Sequence, residues 1–146
     1  VIVVADTSGL IASVDRKLGS SEREACRRVL SEASTVIVSP LVLAEVDHVA
    51  SQRFGLKERD VLIGFIVAQV RRMRFQMPEL DADKLEAALG IRSRYGQLRL
   101  DLADCMNAVL AADYRTDAIL TLDQRDFRVI KPLTGSPAFR ILPFDR

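Results

Sequence analysis

The chain opens on Val1-Ile2-Val3-Val4-Ala5, a continuous and largely β-branched run, and breaks at Asp6. An apolar segment of this length with no polar alternation reads as a strand covered on both faces, as in a parallel sheet flanked by helices. Similar runs recur at Thr35 to Val38 and at Ala118 to Leu122, the latter ending at Asp123, and Phe75 to Leu80 and Phe139 to Leu142 read as further short strands. Between them the apolar residues follow helical spacing, which gives βαβ units.

The helices have recognisable starts. Thr7 or Ser8 offers an N-cap for a helix through Leu10, Ile11 and Val14, and a second helix runs from Ser21 to Ala33 with Ala25, Val29 and Leu30 inward. Ser39-Pro40 supplies a capping hydroxyl and a proline at the first helical position, launching a helix from Leu41 to about Arg53 with Glu45 in its second turn. After Gly55, residues Lys57 to Arg74 carry Val61, Leu62, Phe65, Ile66, Val70 and Met73 at helical spacing, forming a helical hairpin with the preceding helix. Asp81 caps a helix through Leu85, Leu89 and Arg92, and Asp101 caps one from Leu102 to Tyr114 with Met106, Val109 and Leu110 inward. The expected architecture is an α/β fold of three layers, α/β/α, with a central, mainly parallel sheet and the hairpin on one side. The 146 residues suffice for a single domain, 1–146, and need no disulfide. Cys26 and Cys105 lie within helical patterns and are expected reduced and buried.

The most apolar stretch, Val61 to Val70, is half the length of a membrane span and is followed at once by Arg71, Arg72 and Arg74. The opening run lacks a basic leader and a small-residue cleavage site, so it is expected to be a strand and the protein cytoplasmic. A formal net charge of +1 gives no general attraction to nucleic acid; any phosphate-binding surface must come from clustered arginines.

In open parallel sheets, sites form beyond the carboxyl ends of strands, where Asp6 and Asp123 both stand. Asp104 opens the Leu102 helix and Glu45 sits past the capping positions of its own. Taken singly, each acid also fits a structural role, as a helix cap, a dipole partner or half of a surface pair. Capping is the favoured role for Asp101, and Asp126 is open between an outer ligand and a turn cap. His48, three residues after Glu45, reads as a surface or packing residue. No Cys/His set has zinc spacing and no glycine-rich loop precedes a lysine, which argues against zinc and ATP chemistry.

Taken together, the strand running into Asp6-Thr7-Ser8, Ser39-Pro40 followed by Glu45, Leu102-Ala103-Asp104-Cys105 at the head of an apolar helix, and Thr121-Leu122-Asp123 leading to Arg125-Asp126-Phe127 carry a resemblance. The chain resembles the PIN-domain family, and within it the VapC-like toxin ribonucleases of VapBC-type toxin–antitoxin systems. That resemblance implies a metal-dependent endoribonuclease in which Asp6, Glu45, Asp104 and Asp123 converge on Mg²⁺ or Mn²⁺, with Thr7, Ser8 and Thr121 supporting them and Asp101 and Asp126 secondary. It further implies an RNA substrate, transfer or ribosomal, a cognate VapB-like antitoxin received near the helical hairpin, and a homodimer. Hard oxygen ligands suit such cations, and a cation resolves the repulsion among clustered carboxylates.

Arg92, Arg94 and Arg99 precede Asp104 and are expected to contact RNA phosphates, whereas Arg71, Arg72 and Arg74 fit equally a helix terminus favoured by its dipole. Two other functions stay open at this point: a PIN nuclease of RNA processing without an antitoxin, and a non-catalytic α/β binding domain whose acids only cap helices.

Overall fold

The computed structural model describes residues 1–145. Among them, β1 (Ile2–Ala5), β2 (Thr35–Val38), β3 (Phe75–Gln76), β4 (Ala118–Leu120) and β5 (Arg140–Leu142) form one sheet in the order β3-β2-β1-β4-β5. Every pairing is parallel, with Val3 opposite Val36 on one side and Ala118 on the other. Parallel neighbours need crossovers, and the chain supplies α1 (Thr7–Ala12), α2 (Ser20–Glu32), α3 (Pro40–Phe54), α4 (Leu56–Arg71), α5 (Ala82–Arg94), α6 (Leu102–Asp113) and the short α7 (Gln124–Phe127).

Strand alternation divides the core. Val3, Ala5, Val36 and Val38 face α1 to α4, packing on Leu10, Ile11, Cys26, Val46 and Ile66. Val4, Ile37, Ile119 and Ile141 face the other way, onto Ile91, Met106, Val109, Leu110 and Phe127 of α5 to α7. This is the expected three-layer α/β/α arrangement, with the α3–α4 hairpin on one side. Each wholly buried valine or isoleucine contributes about 1.5–3 kcal/mol, and the central strand β1 has such residues on both faces.

Several local expectations are corrected. Asp6, not Thr7 or Ser8, holds the N-cap position of α1, and that helix ends at Ala12, leaving Val14 exposed. Cys26 rather than Ala25 is the wholly buried residue of the α2 face. Met73 lies beyond α4 at positive φ and is 85% exposed. The third strand stops at Gln76, since Pro78 has no N–H to extend the ladder. Strand β4 ends at Leu120 rather than Leu122. Ser39 caps α3 as expected, accepting from the Leu41 N–H at 3.2 Å with Pro40 first in the helix. Asp81 likewise accepts from the Lys84 N–H at 2.9 Å. Both cysteines are free and buried; burial, helped by Glu22, pushes the Cys26 thiol up to about 11.

Gly9 sets how closely α1 approaches β4. A Cβ there would lie 2.6 Å from Leu120 Cγ and 2.7 Å from the Leu120 carbonyl oxygen, closer than carbon tolerates. The backbone oxygen cannot swing away as a side chain would. Gly9→Ala is therefore expected to lower stability by about 1–3 kcal/mol, the usual range for overpacking. A denaturant melt is the check, and a variant as stable as the parent would show that α1 tolerates displacement.

Candidate active site

The chain leaves β1 in one direction to build β2 and β3, then returns to the other side of β1 for β4 and β5. The order reverses between β1 and β4, and in such sheets sites form beyond the carboxyl ends of the strands at this switch point. Asp6 follows β1, while Thr121 and Asp123 follow β4. A backbone hydrogen bond from the Asp6 N–H to the Leu120 carbonyl at 2.9 Å ties the two strand ends together.

The buried Asp6 carboxylate is held on both oxygens. The Thr121 hydroxyl donates to Oδ2 at 2.9 Å, and the Asn107 amide donates to Oδ1 at 3.3 Å. Because the one Thr121 hydrogen is used on Asp6, the 3.0 Å contact between Ser8 and Thr121 has Ser8 as donor. Ser8 Oγ in turn accepts from the Leu122 N–H at 2.9 Å, and Thr121 Oγ1 accepts from the Asp123 N–H at 3.0 Å. The two hydroxyls thus relay backbone polarity onto one carboxylate. Burial nevertheless pushes Asp6 up to about 6 against the lowering effect of Thr121, with the charges of Glu45 and Asp101 adding to the rise.

Asp104, Asp123 and Asp126 gather in front of it, each offering a carboxylate oxygen within 4.8 Å of the others. Burial pushes Asp104 up to about 8, reinforced by Asp6, Asp101 and Asp123. The N-cap position of α7 belongs to Asp123, yet its side chain makes no capping bond, so the capping explanation does not apply to it. Nor does Asp126 cap: its Oδ1 is buried without a hydrogen-bond partner, the Arg125 Nε standing 3.7 Å away. Asp101 does cap α6, accepting from the Asp104 N–H at 2.9 Å, while its charge still acts on Asp6, Glu45 and Asp104.

Glu45 stands half-buried at the margin, anchored by the Thr7 hydroxyl at 2.6 Å. Burial raises its carboxyl above the ordinary value despite that bond. Arg92 is exposed on α5 and reaches the Cys105 thiol, next to Asp104, where its charge acts to lower the burial-raised Cys105. Arg94 and Arg99 are exposed, and neither pairs with the acids among the described residues. His48 is exposed on α3. Asn107 was missed by reasoning from the sequence, although an amide within the apolar run Cys105 to Ala111, one turn after Asp104, was a visible signal.

The donors fit a hard divalent cation. They are all oxygen, three carboxylates converge, and a buried carboxylate oxygen lacks a hydrogen-bond partner. The raised values of Asp6 and Asp104 mark the absence of compensating positive charge around them.

Metal-free protein should accordingly be less stable in alkali. Asp6 and Asp104 bind protons more tightly folded than unfolded, so their stabilising contribution is complete below the ordinary carboxylate pKa and is lost as pH rises through about 6 and about 8. The melting temperature in chelator is expected to fall between pH 5 and 9, and Asp104→Asn to raise it by several degrees at pH 9. Scanning calorimetry across that range is decisive, and a flat profile would mean that neither burial nor the neighbouring acids raise these carboxyls.

The PIN domain family model matches residues 3–131. Ribonuclease VapC26 of Mycobacterium tuberculosis is 32% identical over 142 residues, covering 97% of this chain and 100% of that protein. Among solved structures, M. tuberculosis VapC20, described as a sarcin-ricin loop cleaving toxin, superposes with a TM-score of 0.70 at 18% identity, covering 84% of this chain and 91% of its own. VapBC2 from Rickettsia felis, bound to a DNA fragment from its promoter, gives 0.64 at 17% identity over 91% of this chain and 96% of the other. With the family model spanning nearly the whole chain and its acids gathered at the sheet's switch point, this chain belongs to the PIN domain family.

Proposed function

We infer that this protein is a metal-dependent endoribonuclease that hydrolyses RNA phosphodiester bonds as the toxin of a VapBC-type toxin–antitoxin pair. The convergence of Asp104, Asp123 and Asp126 beside the buried Asp6 is the observation that carries this reading. Asp6, Asp104, Asp123 and Asp126 would hold the ion, directly or through water, Mg²⁺ or Mn²⁺ by the all-oxygen donor set, with Glu45 at the edge. When bound, such a cation supplies the positive charge that acidifies water and offsets the charge developing on a phosphate during displacement. Thr121 and Ser8 keep Asp6 in place, Thr7 does the same for Glu45, and Asp101 holds the first turn of α6 so that Asp104 faces the site. Arg92, Arg94 and Arg99 provide phosphate contacts on the approach from α5. Such contacts give affinity without sequence information, so binding should weaken with salt.

A structured transfer or ribosomal RNA is the proposed substrate, in keeping with the ribonuclease and loop-cleaving descriptions of the relatives. The reading as a toxin rests on the same relatives, and it sets this chain apart from a processing nuclease or a binding module. Purified protein is expected to cut structured RNA in Mg²⁺ or Mn²⁺. EDTA, Asp6→Asn and Asp104→Asn should each reduce the rate by at least about 10²-fold, in proportion to the loss of a charge-stabilising group. Gel assays of folded variants provide the check; cleavage indifferent to metal and to both substitutions would defeat the carboxylate mechanism.

A separate cleft of about 1200 Å³ runs between the loop after α1, α2 and α4; Asp15 and Glu58 lie in its lining, but none of Asp6, Glu45, Asp101, Asp104, Asp123 and Asp126 does. Val14, Val61 and Phe65 give it an apolar wall, and Arg23, Arg27 and Arg74 a basic one. Val61 and Phe65 of α4 are exposed here. A VapB-like antitoxin segment with apolar and acidic side chains suits this cleft, and a homodimer is the proposed assembly. Phe65→Glu is expected to weaken capture of the co-expressed antitoxin by about tenfold or more, since it places a charge in the apolar wall; unaltered affinity in a titration would locate the antitoxin elsewhere.

A further inference from the structure

Asn107 is the least expected residue in α6. The helix is buried from Cys105 to Ala111 without a break, and Asn107 is wholly inaccessible in the middle of that run. An amide placed in such surroundings is destabilising unless its polar atoms are paired, and asparagine is a poor helix former besides. Here the pairing is incomplete. The Oδ1 atom is buried with no partner, and the side chain makes a single hydrogen bond, from Nδ2 to Asp6 Oδ1, across 101 positions of sequence. An apolar residue of similar size would satisfy the packing and remove the orphaned oxygen, so the fold itself has no need of this amide.

What the amide does accomplish is geometric. Residues 104 and 107 lie one turn apart on the same side of α6, so the helix that presents Asp104 also grips Asp6. Asp6 is then restrained by two donors on different oxygens, Thr121 from the end of β4 and Asn107 from α6. One donor would leave the carboxylate free to rotate about that contact; two fix its plane. The donor sense follows from chemistry, since an ionised carboxylate only accepts.

We propose that Asn107 is a positioning residue that fixes the orientation of Asp6 relative to Asp104, so that the carboxylates of the site face one another in the arrangement that receives a divalent cation. The inference deepens the nuclease reading and rests on it for its catalytic consequence. Its geometric part stands on the hydrogen bond and the orphaned amide oxygen. A group that acts through a ligand's orientation should change metal affinity about 10–100-fold.

The test compares full-length parent protein with Asn107→Leu and Asn107→Asp. The first removes the amide and keeps the volume; the second keeps the shape, loses the donor and faces Asp6 with like charge. Mn²⁺ affinity is measured by calorimetry, kcat and KM on an RNA hairpin, and the Asp6 carboxylate orientation in crystals grown without metal. For Asn107→Leu the expected result is a melting temperature at or above that of the parent in chelator. Mn²⁺ binding should be about 10–100-fold weaker, kcat lower by a similar factor, KM within about threefold, and the Asp6 carboxylate rotated. Asn107→Asp should show at least as large a loss of Mn²⁺ affinity. Parent-like Mn²⁺ affinity and an unrotated Asp6 in folded Asn107→Leu would overturn the proposal. If the parent binds Mn²⁺ yet cuts no RNA, while Asn107→Leu binds it more weakly, the nuclease reading fails and the positioning role stands.

Discussion

A carboxylate taken out of water must be given hydrogen-bond donors or a counter-charge, and the architecture around Asp6 answers that demand. Its donors come from the end of β4 and from the middle of α6, and Ser8 of α1 completes the relay through Thr121. One side chain thereby links β1, α1, β4 and α6. The close approach of α1 to Leu120, which only glycine at position 9 permits, brings Ser8 within reach of Thr121. The parallel pairing of β1 with β4 sets the two strand ends side by side, so that a residue after one strand meets residues after the other.

Donors alone do not neutralise the site. Asp104, Asp123 and Asp126 crowd together with Asp6 and Asp101 close by, and burial first, with the charge of neighbouring carboxylates added, lifts Asp6 and Asp104. The core contributes the stability that tolerates this crowding: apolar layers on both faces of the sheet hold the strand ends rigid whatever the carboxylates prefer. A packed interior does not yield continuously, so repulsion is stored in place instead of being relaxed by movement. Stored repulsion of this kind is what a cation binding there would relieve, and it is the reason that an acidic cluster on a rigid sheet end is chemically different from one on a flexible surface. The apolar and basic cleft beside α2 and α4 shares none of these acids, so cleavage and capture by a partner can be arranged on separate surfaces of one chain.

Much of this organisation was legible in the sequence. The continuous apolar strands announced a sheet covered on both faces, and Ser39-Pro40 and Asp81 announced helix starts that the structure reproduces. The order of Asp6, Glu45, Asp104 and Asp123 pointed to the family. Element ends were less legible, because a strand's length depends on its neighbour: β3 stops where Pro78 removes a donor, and β4 where its chain turns toward the site. The inward face of α2 was misjudged at one residue, since a helical pattern with surplus apolar positions leaves its rotation to be settled by packing.

The sequence by itself determined the layers and the parallel sense of the sheet, because apolar periodicity and capping chemistry are local and each residue carries its own part of them; its acids were pointed to by resemblance to the family. Only the tertiary structure decided which acids meet. Asp126 entered the cluster and Asp101 was spent on a cap, while Asn107 became the second anchor of Asp6 through a contact between residues a hundred positions apart. The reason is physical: a hydrogen bond or a shared cation depends on distances of a few ångströms across the sheet end, and no pattern along one chain encodes them until β1, β4 and α6 have packed.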